Sequence, residues 1–475
     1  MKNHLPAPAA ALVLLLGSGR VAAQTADPCT GLVVPADAQC SSLKAPEDRQ
    51  TPGGRQIPIR FVILRAVRPS ADEPVFLFAG GPGEGSTALV ELATGPFASV
   101  NTTRDIVMVD QRGTGGSNPL RCPVDLVAHP NAAFGHVFDP VVFADCRATL
   151  EKRADLKLYT TERAVEDVDQ VRAFLGYDKI LMWGGSYGTR IAQAYLKAYP
   201  NRVTAAVLDG VVPFDFAAPS SYAVSLQQSF DRVVADCQES SGCREKTPEL
   251  AAGFGRLVAK LRHGPVPATV RRRDSSMTAV TMHLGDFGYA VRGLLYSSGG
   301  ARMLPAMIAT ADRTGDLSPF AQRYWNRAAD FNADFADGLH FAVFCGEDVR
   351  AIREDQVERL VSGTFIGRYL IDEYRTICAD WPRASVSGKG REPVASLVPV
   401  LLVSGWFDPV TPPETAMRVA ARLPNARQLV VRNEAHGAGF GCAAPAVLYV
   451  LTKGTLNGLP TVCEGVVNLF DSAPR

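Results

Sequence analysis

The chain has 475 residues, of which 47% are hydrophobic and 20% are charged, and this balance argues against a disordered protein. Its 49 basic and 48 acidic residues give a formal net charge of +1, which argues against a nucleic acid or an anionic membrane as partner. After the N-terminus, no stretch approaches the roughly 20 apolar residues that a membrane span needs. We therefore expect a soluble globular protein without a membrane span and without an obligate protein partner.

The first 23 residues have the pattern of a secretory signal peptide. Lys2 supplies the basic start, "APAAALVLLLGSG" is an apolar run of suitable length, and the small residues ending at Ala23 fit a cleavage site. A buried N-terminal helix is the alternative. Removal of Lys2 and Arg20 would change the formal charge from +1 to −1, which leaves the expected partners unchanged. We predict cleavage after Ala23 and a secreted or periplasmic mature chain.

All ten cysteines lie in the predicted mature chain, and an even number in an exported protein predicts disulfides. Sequence alone does not determine which cysteines pair. Pairing neighbours in chain order closes loops of modest size, and we expect the pairs Cys29–Cys40, Cys122–Cys146, Cys237–Cys243, Cys345–Cys378 and Cys442–Cys463. No two cysteines are separated by only two residues and no histidine pair accompanies them, so we expect no metal site.

The first half of the mature chain alternates short apolar strands with helices. Residues 24–56 are rich in turn formers and are expected to be an irregular lead-in. From Ile57 onward, helices are predicted after Thr161, which can cap the first of them, and after Ser186. Strands are predicted at "IPIRFVILRAV", "PVFLFA", "DIVMV", "ILMW" and "VTAAVLD". Such alternation indicates a parallel sheet covered on both faces, with functional residues at the carboxyl ends of its strands.

The pattern changes between residues 214 and 394, where apolar residues recur at helical spacing. Strand and loop patterns return within residues 395–475, in "LVPVLLVSGWFDPVTPP" and "RQLVVRNEAHGAGFG". We therefore predict an α/β fold whose mostly parallel sheet is built from two segments, residues 57–213 and 395–475. A large helical cap, residues 214–394, is inserted between them.

Ser186 is the strongest candidate nucleophile. The stretch "GGSYG" at residues 184–188 matches the pattern G-x-S-x-G between an apolar strand and a helix, which is the context of a nucleophile elbow. The glycines permit a sharp turn, and the start of the helix offers free N–H groups to a forming anion. The alternative is a serine in an ordinary glycine turn.

A serine hydroxyl needs a base to take its proton, and that base needs an orienting acid. His436 lies in a glycine loop soon after the last predicted strand, and Asp408 follows the strand before it. The order Ser186, Asp408, His436 is the one expected of such a fold. Asp209, just after the strand that follows the serine helix, is the rival acid. Otherwise Asp209 holds a loop.

The oxyanion of a tetrahedral intermediate needs two aligned N–H donors. We predict one from Tyr187, directly after the nucleophile. The other is expected from the glycine loop at residues 80–83, with Gly80 favoured and Gly81 second. This loop lacks the ending of a phosphate-binding loop, and neither glycine loop of the chain matches the dinucleotide fingerprint. We therefore expect neither a metal nor an organic cofactor.

Several stretches together resemble one branch of a known family. These are "AGGPGEGS", "DQRGTGGS", "GGSYGTR", "VLDGVV", "GWFDPVTPP" and "AHGAGFG". They resemble the proline iminopeptidase and tripeptidyl aminopeptidase branch of the α/β-hydrolases, in the expected order and over both sheet segments. Ala79 stands where proline iminopeptidases usually carry histidine, which favours the exported tripeptidyl type. The resemblance implies a serine exopeptidase that releases short N-terminal pieces from peptide substrates.

The resemblance also implies acids in the cap that hold the α-ammonium group of the substrate. Glu347 and Asp348, next to Cys345, are our candidates, and solvated surface acids are the other interpretation. An esterase or lipase is the main alternative function, because the same catalytic groups serve both reactions and specificity resides in the cap. A non-catalytic receptor on this fold is disfavoured, because every expected catalytic position is filled.

Overall fold

An eight-stranded sheet forms the centre of the protein. The computed structural model describes residues 29–122, 134–331, 335–384, 391–465 and 468–471. The strands are β1 (Gln39–Pro46), β2 (Gln56–Leu64), β3 (Val75–Phe78), β4 (Ile106–Val109), β5 (Ile180–Gly185), β6 (Val203–Asp209), β7 (Val266–Arg271), β8 (Met277–Met282), β9 (Val400–Gly405) and β10 (Ala426–Val431). The central sheet has the order β1-β2-β4-β3-β5-β6-β9-β10, and β7 pairs with β8 in a separate hairpin.

Most of the central sheet is parallel. From β4 through β3, β5, β6 and β9 to β10, each neighbouring pair runs parallel, whereas β2 is antiparallel to both β1 and β4. Because parallel strands point the same way, the carboxyl ends of β3, β5, β6, β9 and β10 meet at one edge of the sheet. The predicted mostly parallel α/β sheet is therefore confirmed, and its strand order brings the candidate residues to this common edge.

Helices cover both faces of the sheet, which explains why its strands are apolar throughout. In β3, Val75 and Leu77 belong to one apolar core and Phe76 and Phe78 to a second, and all four are fully buried. The described helices are α1 (Val90–Thr94), α2 (Pro140–Glu151), α3 (Thr161–Phe174), α4 (Tyr187–Ala198), α5 (Ala218–Glu239), α6 (Ser241–Lys246), α7 (Leu250–His263), α8 (Leu284–Leu295), α9 (Ser298–Thr314), α10 (Ser318–Phe331), α11 (Asp337–Val343), α12 (Glu354–Val361), α13 (Tyr369–Asp380), α14 (Pro413–Ala420) and α15 (Ala444–Lys453).

The segment between β6 and β9 is the helical insertion predicted as a cap, and it contains α5 to α13. It also contains the β7–β8 hairpin, whereas helices alone were predicted for this segment. Side chains of β7 alternate between buried and exposed over only six residues, Val266–Arg271. An alternation this short, directly after a long helix, is easily absorbed into a helical pattern.

The expectation of an irregular lead-in at residues 24–56 was wrong in part. Gln39–Pro46 forms β1, which pairs along its whole length with β2. Most of β1 is at least partly exposed, as is typical of an edge strand, so its sequence lacks the apolar run of a central strand. Residues 1–28, including the predicted signal peptide, lie outside the described residues.

Five disulfides join the cysteines. The bonds are Cys29–Cys40, Cys122–Cys146, Cys237–Cys243, Cys345–Cys378 and Cys442–Cys463, the same pairs that the sequence analysis favoured. Each closes a loop between neighbouring cysteines, and two of them lie wholly within the insertion between β6 and β9. Among the helices that the structure describes, none combines the length and apolar character that crossing a bilayer requires.

Candidate active site

Ser186 stands at a sharp corner between β5 and α4. β5 ends at Gly185 and α4 begins at Tyr187, and Ser186 has φ 54° and ψ −123°, a conformation that residues with a side chain rarely adopt. The Ser186 N–H donates to the main-chain oxygen of Asp209 at 2.8 Å, and the Thr189 hydroxyl donates to the Ser186 carbonyl at 2.6 Å. These hydrogen bonds hold the strained corner in one conformation.

Two glycines allow the chain to pass closely around this corner. A Cβ atom on Gly188 would lie 2.1 Å from the carbonyl oxygen of Phe78, and one on Gly184 would lie 2.5 Å from the carbonyl oxygen of Gly188. A larger residue at either position would force the backbone apart. Ser186 itself is partly exposed, so the corner presents a hydroxyl at the carboxyl edge of the sheet.

His436 and Asp408 form a hydrogen-bonded pair at the same edge. Asp408 follows β9 and is fully buried, and its Oδ2 lies 2.7 Å from His436 Nδ1. The N–H groups of Val410 and Thr411 donate to Asp408 Oδ1, each at 2.8 Å, and the Thr411 hydroxyl donates to Oδ2 at 2.7 Å. A carboxylate held in this way favours the tautomer of His436 that carries its proton on Nδ1, which leaves Nε2 as a proton acceptor.

The charges of this pair shift both pKa values. Burial alone would raise the pKa of Asp408, but the charge and hydrogen bond of His436 and the donors on Thr411 lower it below its ordinary value. Burial alone would lower the pKa of His436, but the charge and hydrogen bond of Asp408 raise it above its ordinary value. Asp408 therefore stabilises the imidazolium that forms when His436 takes a proton.

Asp209, the rival acid, does not pair with the His436 ring and instead holds two loops. Its Oδ2 accepts the N–H of Gly439 at 3.0 Å, three residues after His436, and its main-chain oxygen accepts the N–H of Ser186. Burial raises the pKa of the Asp209 carboxyl to about 6. This arrangement matches the second interpretation of Asp209, and it ties the serine corner and the histidine loop to the end of one strand.

The glycine loop after β3 lies against the serine corner. A Cβ atom on Gly80 would be 3.1 Å from Ser186 Cβ, which is tighter than most such contacts, so a side chain here would crowd the serine corner. Gly81 follows with φ 105°, and the predicted donor Tyr187 is the first residue of α4. The same Cβ position on Gly80 lies 3.4 Å from Glu84 Oε2, and Glu84 is exposed. An exposed acid next to this loop was not predicted from sequence.

His340 in the insertion supports the glycine loop. Its Nδ1 lies 3.1 Å from the carbonyl oxygen of Pro82, and its Nε2 lies 2.9 Å from the hydroxyl of Tyr374. Burial lowers the pKa of His340 to about 4, so the ring is neutral and can donate at one nitrogen and accept at the other. The contact joins residues 258 positions apart, and no local sequence pattern predicts it.

A buried hydrogen-bond network lies beneath Tyr187. The Tyr187 and Thr161 hydroxyls are 2.7 Å apart, and Thr161 donates its hydroxyl to Glu347 Oε2 at 2.7 Å and its N–H to Glu347 Oε1 at 2.8 Å. Thr161 was predicted to cap α3, and this was wrong. Thr160 caps the helix instead, with its hydroxyl accepting the N–H of Arg163, because the Thr161 side chain is engaged in the interior.

The two acids predicted to hold a substrate ammonium group both have partners inside the protein. Asp348 accepts two hydrogen bonds from Arg190, at 2.9 and 3.0 Å, and Glu347 lies 3.7 Å from the same guanidinium. Both acids and Arg190 are buried. Their role in amine binding stays a prediction, and these contacts account for both acids without it.

The site is built from carboxylate, imidazole and hydroxyl groups. Within the described ranges, no group of three or more histidine, cysteine, aspartate or glutamate side chains is arranged to hold a metal ion. What the geometry offers is a hydroxyl on a strained corner, an imidazole oriented by a buried carboxylate, and a glycine loop beside the serine. These are the groups that acyl transfer to serine uses.

Comparison with known proteins agrees with this chemistry. A family model described as alpha/beta hydrolase fold matches residues 73–440. The chain is 26% identical over 430 residues to the serine protease Hip1 of Mycobacterium tuberculosis, covering 82% of this chain and 80% of that protein. It is 24% identical over 472 residues to a tripeptidyl aminopeptidase of Streptomyces coelicolor, covering 89% of this chain and 82% of that protein.

A relative with a different name has the same percentage identity as Hip1. Carboxylesterase B of Mycobacterium tuberculosis is 26% identical to this chain over 452 residues, covering 88% of this chain and 85% of that protein. The relatives therefore include proteins named for peptide hydrolysis and for ester hydrolysis. The family match covers well over half of the chain, and the chain belongs to the alpha/beta hydrolase family as a serine hydrolase.

Proposed function

We propose that this chain is an exported serine aminopeptidase that cleaves short peptides near their free N-terminus. The observation that carries the proposal is the 2.7 Å contact between His436 Nδ1 and Asp408 Oδ2, at the sheet edge where Ser186 stands on its strained corner. Five disulfides and a start that resembles a signal peptide support export. The relatives named serine protease and tripeptidyl aminopeptidase support peptides as substrates.

In the proposed mechanism, Ser186 Oγ attacks the carbonyl carbon of the scissile bond while His436 Nε2 takes its proton. Asp408 keeps the imidazole in the required tautomer and stabilises the imidazolium that forms. The N–H groups of Tyr187 and Gly80 donate to the oxyanion of the tetrahedral intermediate. His436 then gives its proton to the leaving nitrogen, and the bond to that nitrogen breaks. Water, deprotonated by His436, then attacks the acyl carbon; the bond to Ser186 Oγ breaks, and His436 returns the proton to that oxygen.

Glu84 is a further candidate for receiving the substrate's α-ammonium group. It is exposed, and its carboxylate lies next to Gly80, whose backbone faces Ser186. A free N-terminus within a few residues of the scissile carbonyl would bring a positive charge to this side of the site. The Glu84 carboxylate, next to Gly80, would complement that charge.

An esterase is the second candidate function, favoured by the likeness to carboxylesterase B. Serine, histidine and oxyanion donors act in the same way on an ester carbonyl, so these groups do not separate the two functions. The two functions differ in whether the enzyme requires a free amine and in whether it can expel a poor leaving group such as an amine.

The test compares three chromogenic substrates. The first is a tripeptide p-nitroanilide with a free N-terminus, the second is its N-acetylated form, and the third is a p-nitrophenyl ester. We expect the first substrate to be cleaved much faster than the second, whether or not the activated ester is also cleaved, and we expect loss of all hydrolysis in Ser186→Ala. Equal rates on the acetylated form, or turnover of the ester only, would reject the aminopeptidase. Undiminished turnover in Ser186→Ala would reject the serine mechanism as a whole.

A further inference from the structure

A buried arginine next to the candidate site has no carboxylate partner among the residues that the structure describes. Arg292, near the end of α8, is 9% exposed, and its guanidinium lies over three tyrosine rings. The distances from its Cζ to the ring centres are 4.8 Å for Tyr222, 5.4 Å for Tyr289 and 5.1 Å for Tyr296. One hydrogen bond, from Nη2 to the Tyr296 hydroxyl at 2.9 Å, is formed within the described part of the chain.

This arrangement leaves donors of the guanidinium unused. Arg292 Nε is buried and has no hydrogen-bond partner among the described residues. Contacts with aromatic faces stabilise a buried cation, but they do not satisfy N–H groups that point along the plane of the guanidinium. A buried charge is normally paired with an opposite charge, because removal from water is costly. Arg292 therefore has capacity for an anion.

The tyrosine cluster adjoins the reacting groups. The ring of Tyr296 packs edge-on against the ring of His436, with the ring centres 5.1 Å apart. Arg292 lies on that same tyrosine, so the guanidinium and the imidazole both contact the ring of Tyr296. Tyr289, Tyr296 and His436 each keep part of their surface exposed, so the cluster borders solvent rather than a closed core.

We propose that Arg292 binds a carboxylate carried by the leaving half of the substrate. The inference rests on the proposed function and deepens it. His436 delivers its proton to the leaving nitrogen, so the leaving residue must lie against the imidazole and its flanking groups. The α-carboxylate of an amino acid is attached to the carbon that bears this nitrogen, and a guanidinium binds a carboxylate through parallel N–H donors.

The anion has two possible sources on the substrate. It is either the terminal α-carboxylate of a single leaving residue, or the side-chain carboxylate of an aspartate or glutamate at that position. Both present the same group to Arg292. The first source would confine the enzyme to peptides that end one residue beyond the scissile bond. The second would allow longer peptides with an acidic residue after that bond.

The kinetic test uses one peptide in three forms. The leaving residue is alanine with a free carboxylate, alanine with a carboxamide, or glutamate with a carboxamide. We expect the wild-type enzyme to prefer a carboxylate form by about 10- to 100-fold in kcat/KM, the range for hydrogen bonds to a charged group. In Arg292→Gln the ratio of carboxylate to carboxamide should fall to near one, and in Arg292→Lys it should be intermediate. Which carboxylate form is preferred identifies the source.

Arg202→Gln is the matched control. Arg202 lies over the ring of Tyr199 with its Cζ 4.7 Å from the ring centre, and it pairs with Asp169. It immediately precedes β6, at the amino end of the strand and therefore at the opposite edge of the sheet. Loss of this stacked guanidinium should leave the substrate ratio unchanged. A ratio that falls equally in both variants would point to a general structural effect and overturn the inference.

A binding measurement separates failure of this inference from failure of the proposed function. Titration calorimetry on Ser186→Ala with the same peptides needs no turnover. Tighter binding of a carboxylate form, abolished by adding Arg292→Gln, supports the inference even if the wild-type enzyme hydrolyses no peptide. Peptide hydrolysis with no preference for carboxylate, or a preference that survives in Arg292→Gln, overturns the inference and leaves the proposed function standing.

Discussion

The buried cationic groups around the candidate site differ in their partners: some pair with a carboxylate, and one lies among aromatic rings. Below the serine helix, Arg190 is paired with Asp348, and in the histidine loop His436 is paired with Asp408. On the side of the insertion, Arg292 is surrounded by tyrosine rings. A cation that the fold already neutralises serves the structure or orients a catalytic group. Arg292, which has no carboxylate partner within the described ranges, is the cation that we propose to bind a ligand.

The largest expected effect is a loss of kcat on substitution of Asp408, the carboxylate that pairs with His436. In Asp408→Asn the amide can donate to His436 Nδ1 and so favour the tautomer with its proton on Nε2, which cannot accept the serine proton. We expect kcat to fall by about 10⁴-fold, as the loss of the orienting acid does in serine hydrolases with this geometry. Steady-state kinetics on the free-amine p-nitroanilide measures it, with the thermal midpoint of unfolding as control. A loss below tenfold would remove Asp408 from the mechanism.

The next effect concerns stability. Asp348→Asn removes the charge that neutralises Arg190 in the interior, and breaking a buried ion pair costs about 3–5 kcal/mol. Arg292→Gln removes a charge that no described carboxylate pairs with, so it should destabilise the protein much less. Urea unfolding of both variants compares their free energies of unfolding. Equal losses in the two variants would mean that the tyrosine rings anchor a charge as firmly as a carboxylate does.

A smaller effect distinguishes the acids proposed to receive the substrate's ammonium group. Glu84→Gln should lower kcat/KM for the free-amine substrate by about two- to fivefold and change the acetylated substrate little, since an exposed charge contact contributes at most about 1 kcal/mol. Glu347→Gln should change both substrates by the same factor, because Glu347 is held by Thr161 in the interior. A selective loss in Glu347→Gln instead would restore the role predicted from sequence.

The smallest effect is a shift in pH dependence. The pKa of His436 is raised above its ordinary value of 6.5, and a general base must be unprotonated, so kcat/KM should fall with decreasing pH with a midpoint above 6.5. The charge of Arg292 opposes this rise. Arg292→Gln should therefore move the acid limb to higher pH, whereas Arg202→Gln should not. An acid limb that moves to lower pH in Arg292→Gln would contradict the charge assignment.

Local pattern predicts the parts of the fold that local chemistry dictates. The strands β3 and β5 are apolar throughout because both faces of the sheet are covered, and the glycines at 184 and 188 are needed for close approach of the backbone. The disulfides join neighbouring cysteines, so their order in the chain was a sound guide. Ser186, Asp408 and His436 could be selected because each follows a recognisable strand.

Contacts between distant segments could not be predicted in this way. His340 reaches the carbonyl of Pro82, and Thr161 turns inward to Glu347, only because the insertion folds back over the sheet edge. The same is true of Arg292, whose neighbours Tyr222 and His436 come from separate segments. In sequence, an arginine on an amphipathic helix resembles any solvated charge. Its burial and lack of a carboxylate emerge only in three dimensions.

The most direct test of the account is covalent labelling of the nucleophile. After incubation with an active-site fluorophosphonate, peptide mass spectrometry should locate one adduct on Ser186 in the wild-type enzyme. Labelling should be slowed by at least about 10³-fold in His436→Ala, because the hydroxyl then lacks its base. An adduct on another residue would contradict Ser186 as the nucleophile, and labelling of Ser186 at an unchanged rate in His436→Ala would contradict His436 as its base.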